Sequence, residues 1–202
     1  MDYVNCKLCP RQCGVDRTAG ERGFCGCPDG ALVAKTMLHK WEEPALAGSG
    51  GSGAIFFGGC TLGCAYCQNR TISRHPAGTQ VDGAALRQMM EELIRQGAEN
   101  IDLVTPTHFL PTILPALEPK LSVPVVYNCG GYERVETLRE LEGKIDIYLP
   151  DMKYADSTLP ECSPARRIIF LWHQRPFGKW CARQAPWSGR GIRWCVAPSS
   201  AI

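Results

Sequence analysis

The chain has 202 residues, enough for one hydrophobic core, and its formal net charge of +2 argues against a nucleic-acid partner. It contains no apolar run of about 18 residues, so we expect no membrane-spanning helix. The first residues lack the basic and apolar regions of a signal peptide, and we expect a cytoplasmic protein. In that reducing compartment, twelve cysteines indicate metal or redox chemistry rather than disulfides.

The first region that we distinguish is a Cys-rich metal-binding segment, residues 1–47. Residues 5–30 are too polar and too rich in glycine to form an apolar core of their own. A C-x2-C-x3-C pattern and one later cysteine supply four ligands for a zinc ion or a second iron–sulfur cluster: Cys6, Cys9, Cys13 and Cys25. A loop of unligated thiols is the alternative, and Cys27 lies outside the pattern.

Residues 31–53 connect this segment to the next region. The first part reads as an extended pair or strand that leads to His39 and the acidic pair Glu42-Glu43. His39 is either a ligand there or, as we expect, part of a solvated turn that packs one aromatic ring. Residues 48–53 contain only glycine and serine, without the Lys-Ser/Thr of a phosphate-binding loop, and they predict a flexible connector.

The stretch Ala54 to Arg70, AIFFGGCTLGCAYCQNR, carries the strongest chemical signal of the chain. A buried strand ends at a pair of glycines, and Cys60, Cys64 and Cys67 follow with C-x3-C-x2-C spacing. A closed zinc or ferredoxin-type site needs four protein ligands, and this loop has three. We therefore predict a 4Fe–4S cluster with one open iron. A zinc knuckle completed by a distant residue, or buried free thiols, are the alternatives.

After this loop, helix and strand signals alternate along the chain. Asp82 is a candidate N-cap for a helix over 83–96, and later helices are predicted over 109–117 and 134–141. Strands are predicted at residues 54–57, 100–106, 123–128 and 145–149. Apolar strands separated by helices predict an α/β fold, in which about four strands form an incomplete parallel (β/α) barrel over residues 48–156.

In such a fold the working residues lie on loops that follow the carboxyl ends of the strands. Besides the three-cysteine loop, these loops carry residues 105–108, 128–133 and 151–154. Because all four loops face the same end of the sheet, we expect them to surround one site.

The spacing C-x3-C-x-aromatic-C, with Tyr66 as the aromatic residue, resembles the cluster loop of radical S-adenosylmethionine (SAM) enzymes. The continuation Cys67-Gln68-Asn69-Arg70 is similar to the activating-enzyme branch, which includes the pyruvate formate-lyase activating enzyme. Over residues 5–156 the chain resembles pyruvate formate-lyase activating enzyme-like proteins of unassigned substrate.

This resemblance implies an oxidoreductase of the radical SAM type, with a partial barrel. One electron from a reduced 4Fe–4S cluster cleaves SAM, and the 5′-deoxyadenosyl radical abstracts hydrogen from a substrate, such as the glycine of a glycyl-radical enzyme. An electron donor such as flavodoxin or ferredoxin is implied as well. The cofactor-binding residues that match are Tyr66, Asn128, Cys129, Asp151 and Lys153.

Two of these matches leave alternatives open. Asn128-Cys129 stands in place of an Asp-Thr pair, and Asp151 with Lys153 is either a SAM contact or an exposed salt bridge. The family's Gly-Gly-Glu stretch is replaced by residues 105–108. There His108 is either a proton donor or substrate contact, or a residue at the entry of a helix.

The resemblance ends near residue 156. From Cys162 onward the chain has seven Lys and Arg residues and no Asp or Glu, interleaved with tryptophan and proline. Such a pattern can bind nucleic acid, but we expect residues 157–202 to be an aberrant, disordered tail from a disrupted reading frame. An iron–sulfur protein without catalysis, or an inactive truncated remnant, therefore competes with the radical SAM interpretation.

Overall fold

The computed structural model of the chain describes residues 1–151 and the backbone of a short strand at residues 193–194. The predicted tail, residues 157–202, lies outside the described residues except for that strand. The candidate cofactor residue Lys153 also lies outside them.

The described residues form one mixed sheet flanked by short helices. The strands are β1 (Ala31–His39), β2 (Ser52–Phe57), β3 (Thr79–Val81), β4 (Asn100–Val104), β5 (Val125–Cys129), β6 (Ile147–Pro150) and β7 (Arg193–Trp194). The helices are α1 (Pro44–Ala47), α2 (Arg70–Arg74), α3 (Gly83–Arg95), α4 (Leu110–Ala116) and α5 (Val135–Arg139), and a 3₁₀ turn spans Thr107–Phe109. The strand order is β3-β1-β2-β4-β5-β6-β7.

The four predicted strands are confirmed as the parallel centre of this sheet. β2 pairs with β4, β4 with β5, and β5 with β6, all in parallel, and β7 extends the same direction. The α/β class is therefore confirmed. Among the described strands, β3 and β7 form the two edges and do not pair with each other, so the sheet is open.

The sheet also contains two antiparallel strands on its β2 side. β1 pairs antiparallel with β2 and antiparallel with β3. The extended segment predicted after residue 31 is thus a strand of the main sheet, and β3 is one that the sequence patterns did not reveal. β1 runs antiparallel because its link to β2 contains only the short helix α1 and a turn, too little for a parallel crossover.

The predicted flexible connector at residues 48–53 is wrong for its last two residues. Ser52 and Gly53 belong to β2 and pair with β4. Glycine is needed at position 53 because an added Cβ would lie 3.0 Å from the side chains of Ala98 and Ile101. Close packing, rather than flexibility, explains this part of the glycine-rich run.

Helices α3 and α4 cover one face of the sheet and form the main core with it. Asp82 caps α3 as predicted, since its Oδ1 accepts a hydrogen bond from the backbone N–H of Ala85 at 2.8 Å. Buried residues of the two helices pack against Ile55 of β2 and Leu103 of β4. The helix residues are Leu86, Met90 and Leu93 of α3 and Leu110 and Ile113 of α4. α4 ends at Ala116, next to the proline that the sequence predicted to make it irregular.

None of the helices in the described part of the chain has the length and apolar character that a membrane crossing requires.

Candidate metal centre

The three-cysteine loop leaves the carboxyl end of β2 through Gly58-Gly59 and is held in place by arginines. Arg11 donates through Nε to the carbonyl of Thr61 at 2.6 Å and through Nη2 to that of Leu62 at 3.2 Å. Arg70 donates to Ala65 O at 3.3 Å, and Arg74 donates to Gly63 O. Three guanidinium groups therefore surround a loop that would carry negative charge on its thiolates.

The loop forms one wall of a cavity of about 710 Å³, within the size range of small-molecule and cofactor sites. The other walls come from the carboxyl ends of β4, β5 and β6 and from the turn after β1. As predicted from the order of the strands, loops that are distant in sequence meet at this end of the sheet.

The cavity brings together seven of the predicted site residues. Its lining includes the three cysteines of the loop and four of the predicted cofactor residues: Cys60, Cys64, Cys67, Tyr66, Asn128, Cys129 and Asp151. The fifth predicted cofactor residue, Lys153, lies outside the described residues. The four N-terminal cysteines line a different and smaller cavity.

Two of the loop sulfurs already accept hydrogen bonds. The backbone N–H of Leu62 lies 3.4 Å from Cys60 Sγ, and the hydroxyl of Ser73 lies 3.6 Å from Cys67 Sγ. Burial raises the pKa of the Cys60 thiol, so it loses its proton at neutral pH only when a metal takes the proton's place. Such hydrogen bonds stabilise the charge of a metal-bound thiolate.

The donor set of the loop is three thiolates. In residues 1–151, no three His, Cys, Asp or Glu side chains are arranged to hold one metal ion. Three thiolates on one loop can bind three irons of a cubane or, together with a fourth ligand, one zinc ion.

A buried carboxyl group on the cavity wall was not among the predicted site residues. Glu133 is 2% exposed, and its Oε1 accepts a hydrogen bond from Thr107 Oγ1 at 2.9 Å. Thr107 Oγ1 also lies 2.9 Å from Tyr127 OH, while Glu133 Oε2 has no hydrogen-bond partner among the described residues. Burial raises the pKa of Glu133 to about 7, although the bond from Thr107 partly offsets the shift.

We expect this group to make stability fall as the pH rises. Below about pH 4.5 the carboxyl is protonated in both states; between about 4.5 and 7 only the unfolded chain releases the proton. Glu133→Gln keeps the acceptor for Thr107 and removes the titration. Relative to wild type, this variant should gain about 2–3 kcal/mol of unfolding free energy between pH 5 and pH 8.

Urea unfolding at both pH values measures this difference. Glu140→Gln removes an exposed carboxylate and serves as the control, with an expected change within about 0.5 kcal/mol. A Glu133→Gln variant whose stability follows the wild-type pH profile would contradict the assignment.

A second acidic group lies beside the cavity, in the middle of β4. Asp102 is fully buried, and Asn128 Nδ2 donates to its Oδ2 at 3.3 Å. Burial first, and then the neighbouring carboxylate of Glu42, raise the pKa of Asp102 well above its ordinary value. The carboxyl group of Asp102 therefore resists ionisation, and its contact with Asn128 fixes the orientation of that amide.

The turn after β1 differs from the expected solvated turn with one packed aromatic ring. Trp41 is 91% exposed and packs little, whereas His39, Glu42 and Glu43 line the cavity together with it. The antiparallel pairing of β1 with β2 places His39 beside Ser52, at the opposite end of β2 from the cysteine loop. The segment after β1 reaches the cavity because it lies against the sheet, where Leu46 packs with Val126, Ile147 and Leu149. The sequence carried no signal for this packing.

The two alternatives for His108 are distinguished by its burial. Its ring lies in the 3₁₀ turn that precedes α4, is 2% exposed, and its Nε2 lies 2.9 Å from the carbonyl of Gly58. Burial lowers the pKa of His108 to about 4, so the ring is neutral. His108 does not line the large cavity, which supports its role at the start of the helix rather than as a substrate contact.

The N-terminal cysteines surround a small cavity on the other side of the cysteine loop. Cys6, Cys9, Cys13 and Cys25 line it together with Arg11, Arg17, Phe24 and Thr61. Cys6 and Cys9 are buried, Cys25 is half-buried and Cys13 is exposed, and all four are free thiols. The structure thus brings together the four cysteines that the spacing selected.

Contact between the two cysteine regions depends on a glycine. Gly59 has φ +72°, and an added Cβ would collide with Cys27 Sγ and lie 2.7 Å from Cys25 O. Gly143 has a similar φ of +76°, but nothing lies within 4 Å of its added Cβ. The two positions therefore separate backbone strain from loss of packing.

We expect Gly59→Ala to be more destabilising than Gly143→Ala. The positive φ costs about 1–2 kcal/mol at either position, and the collision at Gly59 adds about 1–3 kcal/mol. Urea unfolding of both variants measures the difference. Equal losses would show that the N-terminal segment does not press against the cysteine loop.

Comparison with known proteins agrees with an iron–sulfur site. Residues 46–109 match the family model of a 4Fe-4S single cluster domain, and the cysteines within that range are Cys60, Cys64 and Cys67. Two uncharacterized proteins of Methanocaldococcus jannaschii are similar to the chain. MJ0674 is 32% identical over 168 residues, which cover 79% of this chain and 48% of that protein.

The second relative, MJ0808, is 26% identical over 203 residues, which cover 82% of this chain and 57% of that protein. The chain thus spans about half the length of the curated relatives it matches. These findings support a 4Fe–4S protein.

Proposed function

We propose that this chain is the cluster-binding part of a radical SAM enzyme, with the incomplete (β/α) barrel of that type. The observation that carries the proposal is that the three cysteines of one loop line a cavity at the carboxyl ends of parallel strands, while the fourth cysteine of the lining, Cys129, belongs to strand β5. When bound, a reduced 4Fe–4S cluster with one open iron supplies the electron that cleaves SAM to a 5′-deoxyadenosyl radical, which abstracts hydrogen from a substrate.

The charges of the cavity fit a cationic ligand. SAM carries a sulfonium and an ammonium group, and four acidic side chains line the described part of the cavity: Glu42, Glu43, Glu133 and Asp151. Burial raises the pKa of Glu133 to about 7, so this carboxyl contributes less than a full charge at neutral pH. A volume of about 710 Å³ leaves room for a nucleoside with an amino-acid chain. The side chain of Tyr66 is exposed, and its aromatic ring offers a face against which an adenine can lie.

The polar residues at the strand ends would orient the ligand. Asn128 is fixed by its bond to Asp102, and Asp151 lies at the end of β6, where the resemblance implies contact with the amino group. Lys153 is the residue that we infer to neutralise the carboxylate of SAM. An electron donor such as flavodoxin or ferredoxin completes the proposal. The substrate is a protein or a small molecule, and the glycine of a glycyl-radical enzyme is one candidate, because the resemblance is to proteins of unassigned substrate.

Anaerobic reconstitution with iron and sulfide tests this function. After reduction, we expect SAM to change the EPR signal of the cluster and 5′-deoxyadenosine to form. A cluster that does not respond to SAM would favour a non-catalytic iron–sulfur protein. Failure to hold iron at Cys60, Cys64 and Cys67, or zinc bound there, would overturn the proposal.

A further inference from the structure

We propose that Cys6, Cys9, Cys13 and Cys25 bind a second iron–sulfur cluster, closed by four thiolates, directly against the loop of the first. This inference does not depend on SAM binding. It rests on how the N-terminal segment folds, on a buried charge beside the thiols and on the four thiols that line one cavity.

The segment before β1 folds without a helix or a strand of its own. Backbone bonds close it into a loop: Cys6 N–H donates to Val15 O, Gly14 N–H donates to Cys6 O, and Gln12 N–H donates to Cys9 O, each at 3.0 Å. This loop turns three cysteines toward one cavity, and the turn at residues 23–26 brings Cys25 to it. A short polar segment of this kind needs a centre that holds it together.

A buried arginine beside the thiols indicates that the centre is negatively charged. Arg17 is 1% exposed, and its Nη1 lies 4.0 Å from Cys6 Sγ. It donates to the carbonyls of Pro28 and His108, and no ion pair among the described residues includes it. A buried cation without a carboxylate partner is costly, and four metal-bound thiolates supply the missing negative charge.

The donor set is that of a closed metal centre. Cys6, Cys9, Cys13 and Cys25 line one cavity, and four thiolates complete the ligands of an iron–sulfur cluster. A zinc ion accepts the same four donors and is the competing occupant that the test separates from the cluster.

Arg11 and Thr61 join the two sites. The guanidinium of Arg11 lies over the ring of Phe24 at 3.2 Å and donates to Thr61 O and Leu62 O in the loop of the first cluster. Thr61 lines both cavities. The second cluster would therefore support the wall of the first site, and a SAM-binding role is not open to it because all its protein ligands are supplied.

The test uses the full chain with Cys60, Cys64 and Cys67 all changed to Ala, reconstituted without oxygen with iron and sulfide. Wild type should bind about eight iron atoms, and the triple variant about four, with equal amounts of sulfide. Adding Cys9→Ser to the triple variant should abolish the remaining iron. Adding Cys27→Ser, the matched control two residues from Cys25, should retain it.

Three outcomes would overturn the second cluster. They are a triple variant that binds zinc or no metal, a wild type that holds only about four iron atoms, and a Cys27→Ser change that removes as much iron as Cys9→Ser. Should the triple variant be insoluble, the iron count of wild type against Cys9→Ser alone decides. A wild type with about eight iron atoms that leaves SAM intact would contradict the proposed function and support this inference.

Discussion

Cys64→Ala is expected to lower 5′-deoxyadenosine formation by more than about 100-fold. This exceeds the loss of activity that follows when a residue hydrogen-bonded to a metal ligand, rather than the ligand itself, is removed. The reason is that the loop supplies three thiolates, so the loss of one leaves a second iron without a protein ligand. Cys60 and Cys64 are both half-buried, but Cys60 Sγ also accepts the backbone N–H of Leu62, so Cys64→Ala removes a ligand without removing that hydrogen bond.

Iron content and 5′-deoxyadenosine, both measured on anaerobically reconstituted protein, test this expectation. The control is Cys27→Ser, since the hydroxyl can keep the contact that Cys27 Sγ makes with Gly58 O at 3.3 Å. It should change product formation by less than a few fold. A Cys64→Ala variant that still cleaves SAM would refute the assignment of the three-cysteine loop.

Arg17→Ala is expected to cost about 3–6 kcal/mol of unfolding free energy. Arg17 donates through Nε to Pro28 O at 2.9 Å and through Nη1 to His108 O at 2.6 Å. Each of these charge-assisted bonds contributes about 1.5–3 kcal/mol, and their loss leaves both carbonyls without that donor. The guanidinium also lies 4.3 Å from the centre of the Tyr3 ring, a contact that alanine cannot replace.

Urea unfolding of the reconstituted protein measures this loss. Arg22→Ala provides the matched control, because Arg22 is exposed and bonds only to the neighbouring carbonyl of Glu21. Its effect should stay within about 0.5 kcal/mol. Arg17→Lys keeps the positive charge but loses the several N–H donors of the guanidinium group. Its loss of unfolding free energy should lie between those of Arg17→Ala and Arg22→Ala. Equal stabilities for Arg17→Ala and Arg22→Ala would show that Arg17 does not join the N-terminal segment to the sheet.

Local signals in the sequence were sufficient for the parts of the structure that depend on neighbouring residues. The apolar runs of β2, β4, β5 and β6 are bounded by glycine, proline and polar residues, which is why their positions could be predicted within a few residues. The cap at Asp82 and the spacing of Cys60, Cys64 and Cys67 are equally local. The class of the fold followed from the alternation of these elements.

Features that join distant residues could not be found in the same way. Strand β1 pairs antiparallel with both β2 and β3, and no periodicity in the sequence predicts these partners. The segment after β1 packs on the sheet through Leu46, and this packing brings Glu42 to the cavity. Asp102 forms an acidic pair with Glu42. The one hint of this pair in the sequence was the presence of an aspartate inside an apolar strand. Arg17 stood in a polar run that resembles any exposed loop.

The sequence by itself determined the three-thiolate loop, the parallel strands and the end of the sheet where their loops would meet, because ligand spacing and periodicity are short-range. Only the tertiary structure decided that Glu133 is buried against Thr107, 26 residues away, and that Arg17 lies among the N-terminal thiols. Burial and charge pairing depend on which loops converge in space. They are therefore settled by the packing of the whole sheet rather than by any one segment.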